Sequence, residues 1–144
     1  MEEDLKWMQI ALAEARLAYD EGEIPVGAVI VAGGRIVARA HNLTERLKDV
    51  TAHAEMQAIT AAAAALGGKY LPEATLYVTL EPCTMCAGAI GWSQIQRLVY
   101  GASDPKRGYT RFAPQALHPR TLITSGILAD EAAQLIQQFF QAKR

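Results

Sequence analysis

The chain has 144 residues, of which 51% are hydrophobic and 20% charged, and its net charge is −1. These values predict one globular domain over residues 1–144 with a core that needs no disulfide bonds, and they exclude a disordered chain or a generic polyanion binder. Residues 2–4 are acidic, whereas a secretory signal begins with basic residues, and no apolar stretch approaches the ~20 residues of a membrane span. With only two cysteines, the sequence predicts a cytoplasmic protein without membrane association.

Apolar residues recur at spacings of three and four across residues 5–19, which predicts a first amphipathic helix. Two β-branched runs joined by Gly33-Gly34 follow and predict a β-hairpin. An alanine-rich stretch then predicts a second long helix, with Thr51 as its cap and Gly67-Gly68 as its end.

Further strands are predicted at residues 74–80 and 97–102, where β-branched and aromatic residues dominate, and a last strand within residues 120–126. An amphipathic helix ends the chain, with acidic residues at its start and basic residues at its end. Helices that alternate with strands over one sheet predict a three-layer α/β fold with helices on both faces.

The only two cysteines, Cys83 and Cys86, are separated by two residues and directly follow Pro82. Because proline fits the first turn of a helix, both thiols are expected on one helix face near its N-terminus, a position that favours thiolates and zinc binding. Three alternatives remain open from the pattern alone. They are a thioredoxin-like redox pair, a closed structural zinc site with His41 or His118 as the fourth ligand, and a metal-free pair in the core.

His53 differs from the other two histidines because it lies at the start of the predicted second helix, with Glu55 two residues further on. The helix, turn and strand between His53 and Cys83 return the chain to the same edge of the sheet, where open α/β sheets place their sites. One imidazole and two thiolates leave a fourth tetrahedral position for water, as in catalytic zinc sites. Zinc lowers the pKa of such a water from ~16 toward ~7, and Glu55 would transfer its proton.

The combination of His53-Ala54-Glu55 with Pro82-Cys83-Thr84-Met85-Cys86 is the signature of zinc-dependent nucleobase deaminases. With the segments IPVGAVIV, ATLYVTLEPCTMCAGAI, YGASDPK and GILADE, the chain resembles, over nearly its whole length, the tRNA adenosine deaminase branch of the cytidine/deoxycytidylate deaminase superfamily. The resemblance implies a cytidine-deaminase-like fold with a mixed five-stranded central sheet and one zinc ion per chain. It implies His53, Cys83 and Cys86 as ligands, Glu55 as the catalytic residue, and conversion of adenosine to inosine at the tRNA wobble position.

The resemblance also implies substrate-binding roles for four residues. Asn42 matches the asparagine that hydrogen-bonds the base, although an asparagine at a strand end is also an ordinary turn residue. The Ala54 N–H lies where the family holds the attacked edge of the base, and Asp104 and Lys106 match the GA-D-K stretch. Family members are homodimers that pack through the cysteine-bearing helix, which implies an interface at residues 87–92.

The charge distribution is uneven, since residues 1–96 carry 7 basic and 12 acidic side chains whereas residues 97–144 carry 7 and 3. Chance clustering on solvated faces explains this as well as a basic lobe that contacts RNA phosphates does. That lobe would comprise Arg97, Lys106, Arg107, Arg111, Arg120, Lys143 and Arg144.

The chain departs from the family pattern at residues 107–112, where relatives have small residues and this chain has Arg-Gly-Tyr-Thr-Arg-Phe. Tyr109 and Phe112 could stack on bases of an anticodon loop, or they could line a smaller pocket closed over a free base. The alternative to a tRNA substrate is therefore a free nucleobase or nucleoside of guanine or cytosine type.

Overall fold

A mixed five-stranded sheet forms the centre of the computed structural model, which describes residues 2–143. The strands are β1 (Gly27–Ala32), β2 (Arg35–His41), β3 (Ala74–Leu80), β4 (Arg97–Ala102) and β5 (Leu122–Ser125). Their order across the sheet is β2-β1-β3-β4-β5. β1 pairs antiparallel with β2 and β3, whereas β3, β4 and β5 run parallel, so the predicted mixed sheet is confirmed.

The helices cover both faces of this sheet, which confirms the predicted three layers. They are α1 (Glu2–Asp20), α2 (Thr44–Leu47), α3 (Ala54–Leu66), α4 (Thr84–Ser93), α5 (Tyr109–Phe112) and α6 (Ala129–Ala142). α1 and α6 lie on one face, where Met8 packs with Val29 and Val99. α3 and α4 lie on the other face, where Ala58 and Ile90 share a core with the opposite sides of the strands.

Local sequence explains how closely these layers approach. Ala54, Ala58 and Ala62 recur every four residues and are fully buried, so the small side chains bring α3 close to the sheet. The predicted hairpin is confirmed, because Gly33 and Gly34 both adopt the positive φ angles, 59° and 74°, of a two-residue hairpin turn.

Two details of the prediction are wrong. Thr51 does not cap α3, because its hydroxyl donates to Asp49 Oδ1 at 2.7 Å and the N-cap position belongs to His53. The short helices α2 and α5 lie in segments between the predicted elements, where the sequence pattern predicted no helix. Among residues 2–143, no helix combines the length and the apolar composition that a bilayer crossing requires.

Candidate metal centre

The candidate site lies at the edge of the sheet where two helices begin. β2 and β3 run parallel to each other because both are antiparallel to β1, so their carboxyl ends meet at this edge. α3 begins after β2 with His53 at its N-cap, and α4 begins after β3 with Cys83 at its N-cap. Pro82 therefore precedes α4 rather than occupying its first turn. Neither N-cap side chain makes a capping hydrogen bond, and the His53 imidazole and the Cys83 sulfur instead lie 3.6 Å from each other.

The three predicted ligand side chains converge on one point. His53 Nδ1 lies 3.6 Å from Cys83 Sγ and 3.5 Å from Cys86 Sγ, and the three atoms lie within 4.8 Å of one another. A tetrahedral zinc ion, with Zn–N and Zn–S bonds of about 2.05 and 2.3 Å, holds nitrogen and sulfur ligands about 3.6 Å apart. The spacing and the donor set therefore fit a zinc ion.

The cysteine pair is poised to carry negative charge. The neighbouring Cys86 thiol and the His53 imidazole lower the pKa of Cys83 to about 4, whereas the Cys83 sulfur and burial raise the pKa of Cys86. The Cys83 hydrogen bond likewise raises the pKa of His53. Both cysteines are free of disulfide bonds, so both sulfurs are available to a metal.

Glu55 lies in the first turn of α3, two residues after His53, and only 3% of its surface is exposed. Burial raises the pKa of its carboxyl to about 7, because the charged form loses its hydration. A carboxyl with this pKa can both release and take up a proton near neutral pH, which is the property required of a general acid and base.

The other two histidines lie away from this cluster. The His41 ring is engaged by Glu14 at 2.8 Å and Glu21 at 3.2 Å, and His118 Nδ1 accepts from the Arg120 N–H. Within residues 2–143, His53 and the two cysteines form the only group of metal-ligating side chains of this kind, so neither His41 nor His118 closes the site. The closed structural site that the sequence left open is therefore not supported.

Two of the predicted substrate-binding residues flank the cluster. Ala54 is the first residue of α3, and the first N–H groups of a helix have no acceptor within that helix. Asn42 follows β2, is 6% exposed, and makes long contacts to Ile24 O at 3.4 Å and from the Thr44 N–H at 3.3 Å. These contacts are those of a turn residue, and its role toward a base stays a prediction.

The segment 103–112 follows β4 and includes α5; it is called the substrate-facing loop after the role that the sequence predicts for it. Lys106 is exposed, whereas the Asp104 carboxylate accepts the N–H groups of Lys106 and Arg107, both at 3.1 Å. Asp104 therefore shapes the loop, and its contact with substrate stays a prediction. Tyr109 cannot stack on a base as the sequence suggested, because it is 2% exposed and packs edge-on against Tyr100 in the core.

Phe112 has the exposure that base stacking requires, since 58% of its surface is accessible and the Arg111 guanidinium lies 5.1 Å from its ring centroid.

The predicted basic lobe is smaller than expected. Arg97 is held by two hydrogen bonds to the Asp4 carboxylate, at 2.7 and 2.6 Å, and is not available to phosphate. Arg144 lies outside the described residues.

Sequence reasoning missed two buried acidic residues near the site. Glu23 is 1% exposed and accepts the N–H groups of Glu45 and Arg46, which fixes α2 next to Asn42. Glu81 is 4% exposed and lies two residues before Cys83. The sequence contained one indication of Glu81, which is its position at the end of a buried strand. Charged residues are rarely buried unless they are paired, so an acidic residue there predicts a specific partner.

Comparisons with known proteins give one family. The family model described as the cytidine and deoxycytidylate deaminase zinc-binding region matches residues 1–102. A tRNA-specific adenosine deaminase of Agrobacterium fabrum is 48% identical over 100% of this chain and 98% of its own length. A tRNA-specific adenosine deaminase of Bacillus subtilis is 44% identical, and the match covers 100% of this chain and 92% of the length of that protein.

A solved structure from work on A-to-I editing by tRNA:A34 deaminases at the wobble position of transfer RNA is also similar. It superposes with a TM-score of 0.85 and 48% identity, and the match covers 90% of this chain and 98% of that one. Because the match covers 90% of this chain, it includes part of the segment beyond residue 102 that the family model does not reach.

Proposed function

Because the chain belongs to the cytidine and deoxycytidylate deaminase family, whose members share this zinc-binding region, we propose that it converts adenosine to inosine at the wobble position of tRNA. The main evidence for this activity is that His53, Cys83 and Cys86 converge beside the buried Glu55 carboxyl. Similarity over the whole chain to tRNA-specific adenosine deaminases supports this substrate rather than a free base. We also propose a cytoplasmic location, which a tRNA substrate supports.

We assign His53, Cys83 and Cys86 as the ligands of one zinc ion per chain, with the fourth position left to solvent. When bound, the ion supplies a Lewis acid that lowers the pKa of a coordinated water toward ~7. The Cys83 thiolate, present already at neutral pH because the pKa of this thiol is about 4, would receive the cation without first losing a proton.

Glu55 is the residue that moves protons in this proposal. Its carboxylate accepts a proton from the attacking water and delivers it to the ring nitrogen next to the reacting carbon. It then assists the departure of ammonia as the carbon–nitrogen bond breaks. Its buried position two residues from His53 keeps it beside the ligands without making it one.

The remaining predicted residues would hold the substrate. The Asn42 amide and the Ala54 N–H would bind the edge of the adenine, and Asp104 and Lys106 would lie along the anticodon loop. Bases of an anticodon loop are already splayed, which lowers the cost of presenting the target base to a buried site.

The test compares two substrates for the zinc-loaded protein. Inosine formation is measured in an anticodon stem-loop with adenosine at the wobble position, and ammonia release is measured from free guanine, cytosine, adenine and their nucleosides. We expect turnover of the stem-loop and none of the free compounds. Turnover confined to the free compounds would overturn the proposal, and a stem-loop with the adenosine moved by one position serves as the control.

We further propose that the protein is a homodimer that packs through the outer face of α4. Met85, Gly88, Ala89 and Trp92 follow a spacing of three and four along this face, and Trp92 is 84% exposed. Ala87 and Ile90, within the predicted interface 87–92, instead face the core of the same chain. Light scattering after size exclusion should give a dimer for the wild type and a monomer for Trp92→Glu, whereas a wild-type monomer would contradict the assignment.

A further inference from the structure

Glu81 carries a buried carboxylate that the reaction does not use. It is 4% exposed, and among the ion pairs of residues 2–143 none involves it. A buried carboxylate without a cation is tolerated only when hydrogen bonds replace its hydration. The donors that satisfy Glu81 therefore indicate what the residue is for.

All of its side-chain donors lie in the substrate-facing loop. Glu81 Oε1 accepts the Asp104 N–H at 3.0 Å, and Oε2 accepts the Thr110 N–H at 3.1 Å and the Thr110 hydroxyl at 2.6 Å. A backbone bond from the Tyr109 N–H to Pro82 O, at 2.9 Å, lies beside them. The segment that leads into Cys83 thus holds both ends of residues 104–110.

The sequence of the loop is adapted to this contact. α5 begins after Gly108, which has no side chain to cap the helix, and the Glu81 carboxylate takes that place by accepting from the first turn. Gly108 itself passes so close that a β-carbon there would lie 2.2 Å from Glu81 Oε2. Only glycine fits this approach.

We propose that Glu81 and Thr110 are a positioning pair, which fixes the substrate-facing loop against the metal-binding segment so that bound RNA is held in register with the metal centre. The proposal rests on the proposed function, since it assigns the loop to the RNA. Neither residue touches the reacting atoms. Their contribution is to order the loop before the substrate arrives, which removes an entropic cost from binding.

Thr110 offers a matched pair of substitutions. Thr110→Val keeps the shape of the side chain and removes the hydroxyl donor, whereas Thr110→Ser keeps the donor. Because Thr110 is exposed, neither change should prevent folding. Glu81→Gln is the stronger variant, since the amide group that replaces one carboxylate oxygen turns N–H donors toward the donors of the loop.

The first measurement needs no substrate. Hydrogen exchange of the zinc-loaded protein should show faster exchange of the Asp104 and Thr110 amides in Thr110→Val and Glu81→Gln, with wild-type rates in Thr110→Ser. Zinc content should be the same in all four proteins. Loss of zinc from Thr110→Val would overturn the proposal, because the pair would then support the metal segment rather than the loop.

The second measurement separates binding from chemistry. On the substrate that the wild type turns over, Thr110→Val should raise KM about fivefold with kcat within twofold, as expected for the loss of one hydrogen bond from an exposed hydroxyl to a carboxylate. Thr110→Ser should restore the wild-type KM. An unchanged KM in Thr110→Val, or a fall in kcat as large as the rise in KM, would overturn the positioning role.

The two readouts also distinguish this inference from the proposed function. A wild type that deaminates only free bases refutes the tRNA assignment, and an unchanged KM for a free base in Thr110→Val then refutes the positioning role as well. If the wild type edits the stem-loop, and Thr110→Val has the same amide exchange rates and the same KM as the wild type, only the positioning role is refuted.

Discussion

The metal centre and the substrate-facing loop are joined through Glu81, yet their surroundings differ in water and charge. Glu55 and Cys86 are buried, whereas Lys106, Arg107 and Arg111 are exposed. Charges interact strongly in a dry interior, while interactions between exposed charges are screened by salt beyond about 10 Å at 0.1 M. The first region is therefore suited to proton transfer at a metal, and the second to attraction of phosphate that depends on ionic strength.

Because of this difference, we expect the two regions to control different kinetic constants. Substitutions in the metal centre remove interactions that act in the transition state, so they should lower kcat. Substitutions in the loop remove contacts that substrate and transition state share, so they should raise KM. A residue that changed both by the same factor would show that the regions are not separate.

The largest effect is expected from Glu55→Gln, which keeps the shape of the side chain and removes its capacity to exchange a proton. The kcat should fall about 10²- to 10⁴-fold, the range that general acid–base catalysis contributes. Zinc content, determined by elemental analysis, should remain that of the wild type because Glu55 is not one of the three converging ligands.

Cys86→Ser is the matched control for this prediction. A hydroxyl replaces one of the three sulfur and nitrogen donors that we assign to zinc, so metal content and turnover should be lost together. The separation of the regions would fail if Glu55→Gln lost its zinc, and the catalytic role would fail if it kept more than a tenth of the wild-type kcat.

The sequence predicted the metal centre because its parts are local. His53 and Glu55 are two residues apart, and the cysteines are three apart, so each half of the site is a short motif at the start of a helix. The two halves are 30 residues apart, but the helix, turn and strand between them form a regular crossover that returns the chain to the same edge of the sheet. The order of helices and strands along the chain was predicted from their hydrophobic periods, and the β3 and β4 bounds agree with the predicted stretches 74–80 and 97–102.

The loop was predicted less well because its conformation depends on contacts between distant residues. The bond from Thr110 to Glu81 spans 29 residues, and the pair of Arg97 with Asp4 spans 93. No local pattern signals such contacts, which is why Arg97 was assigned to the basic lobe. Tyr109 was assigned to base stacking because nothing in its neighbours reveals that its ring fills the core.

The smaller effect is expected from Lys106→Ala in the substrate-facing loop. The lysine is exposed and close to the proposed path of the RNA, so its loss should remove about one phosphate contact. We expect KM for the stem-loop to rise about threefold, with kcat unchanged, and the slope of log affinity against log salt concentration to decrease by about one.

Lys6→Ala is the control, because Lys6 is equally exposed but lies on α1, on the face of the sheet opposite α3 and α4. Removing either lysine changes the net charge by the same amount, so a general electrostatic effect would shift both salt slopes equally. A local phosphate contact shifts only the slope of Lys106→Ala. Equal shifts of the two salt slopes would mean that RNA is attracted by the overall charge of the protein and that Lys106 contacts no phosphate. The position of the bound RNA would then depend on the loop backbone that Glu81 holds.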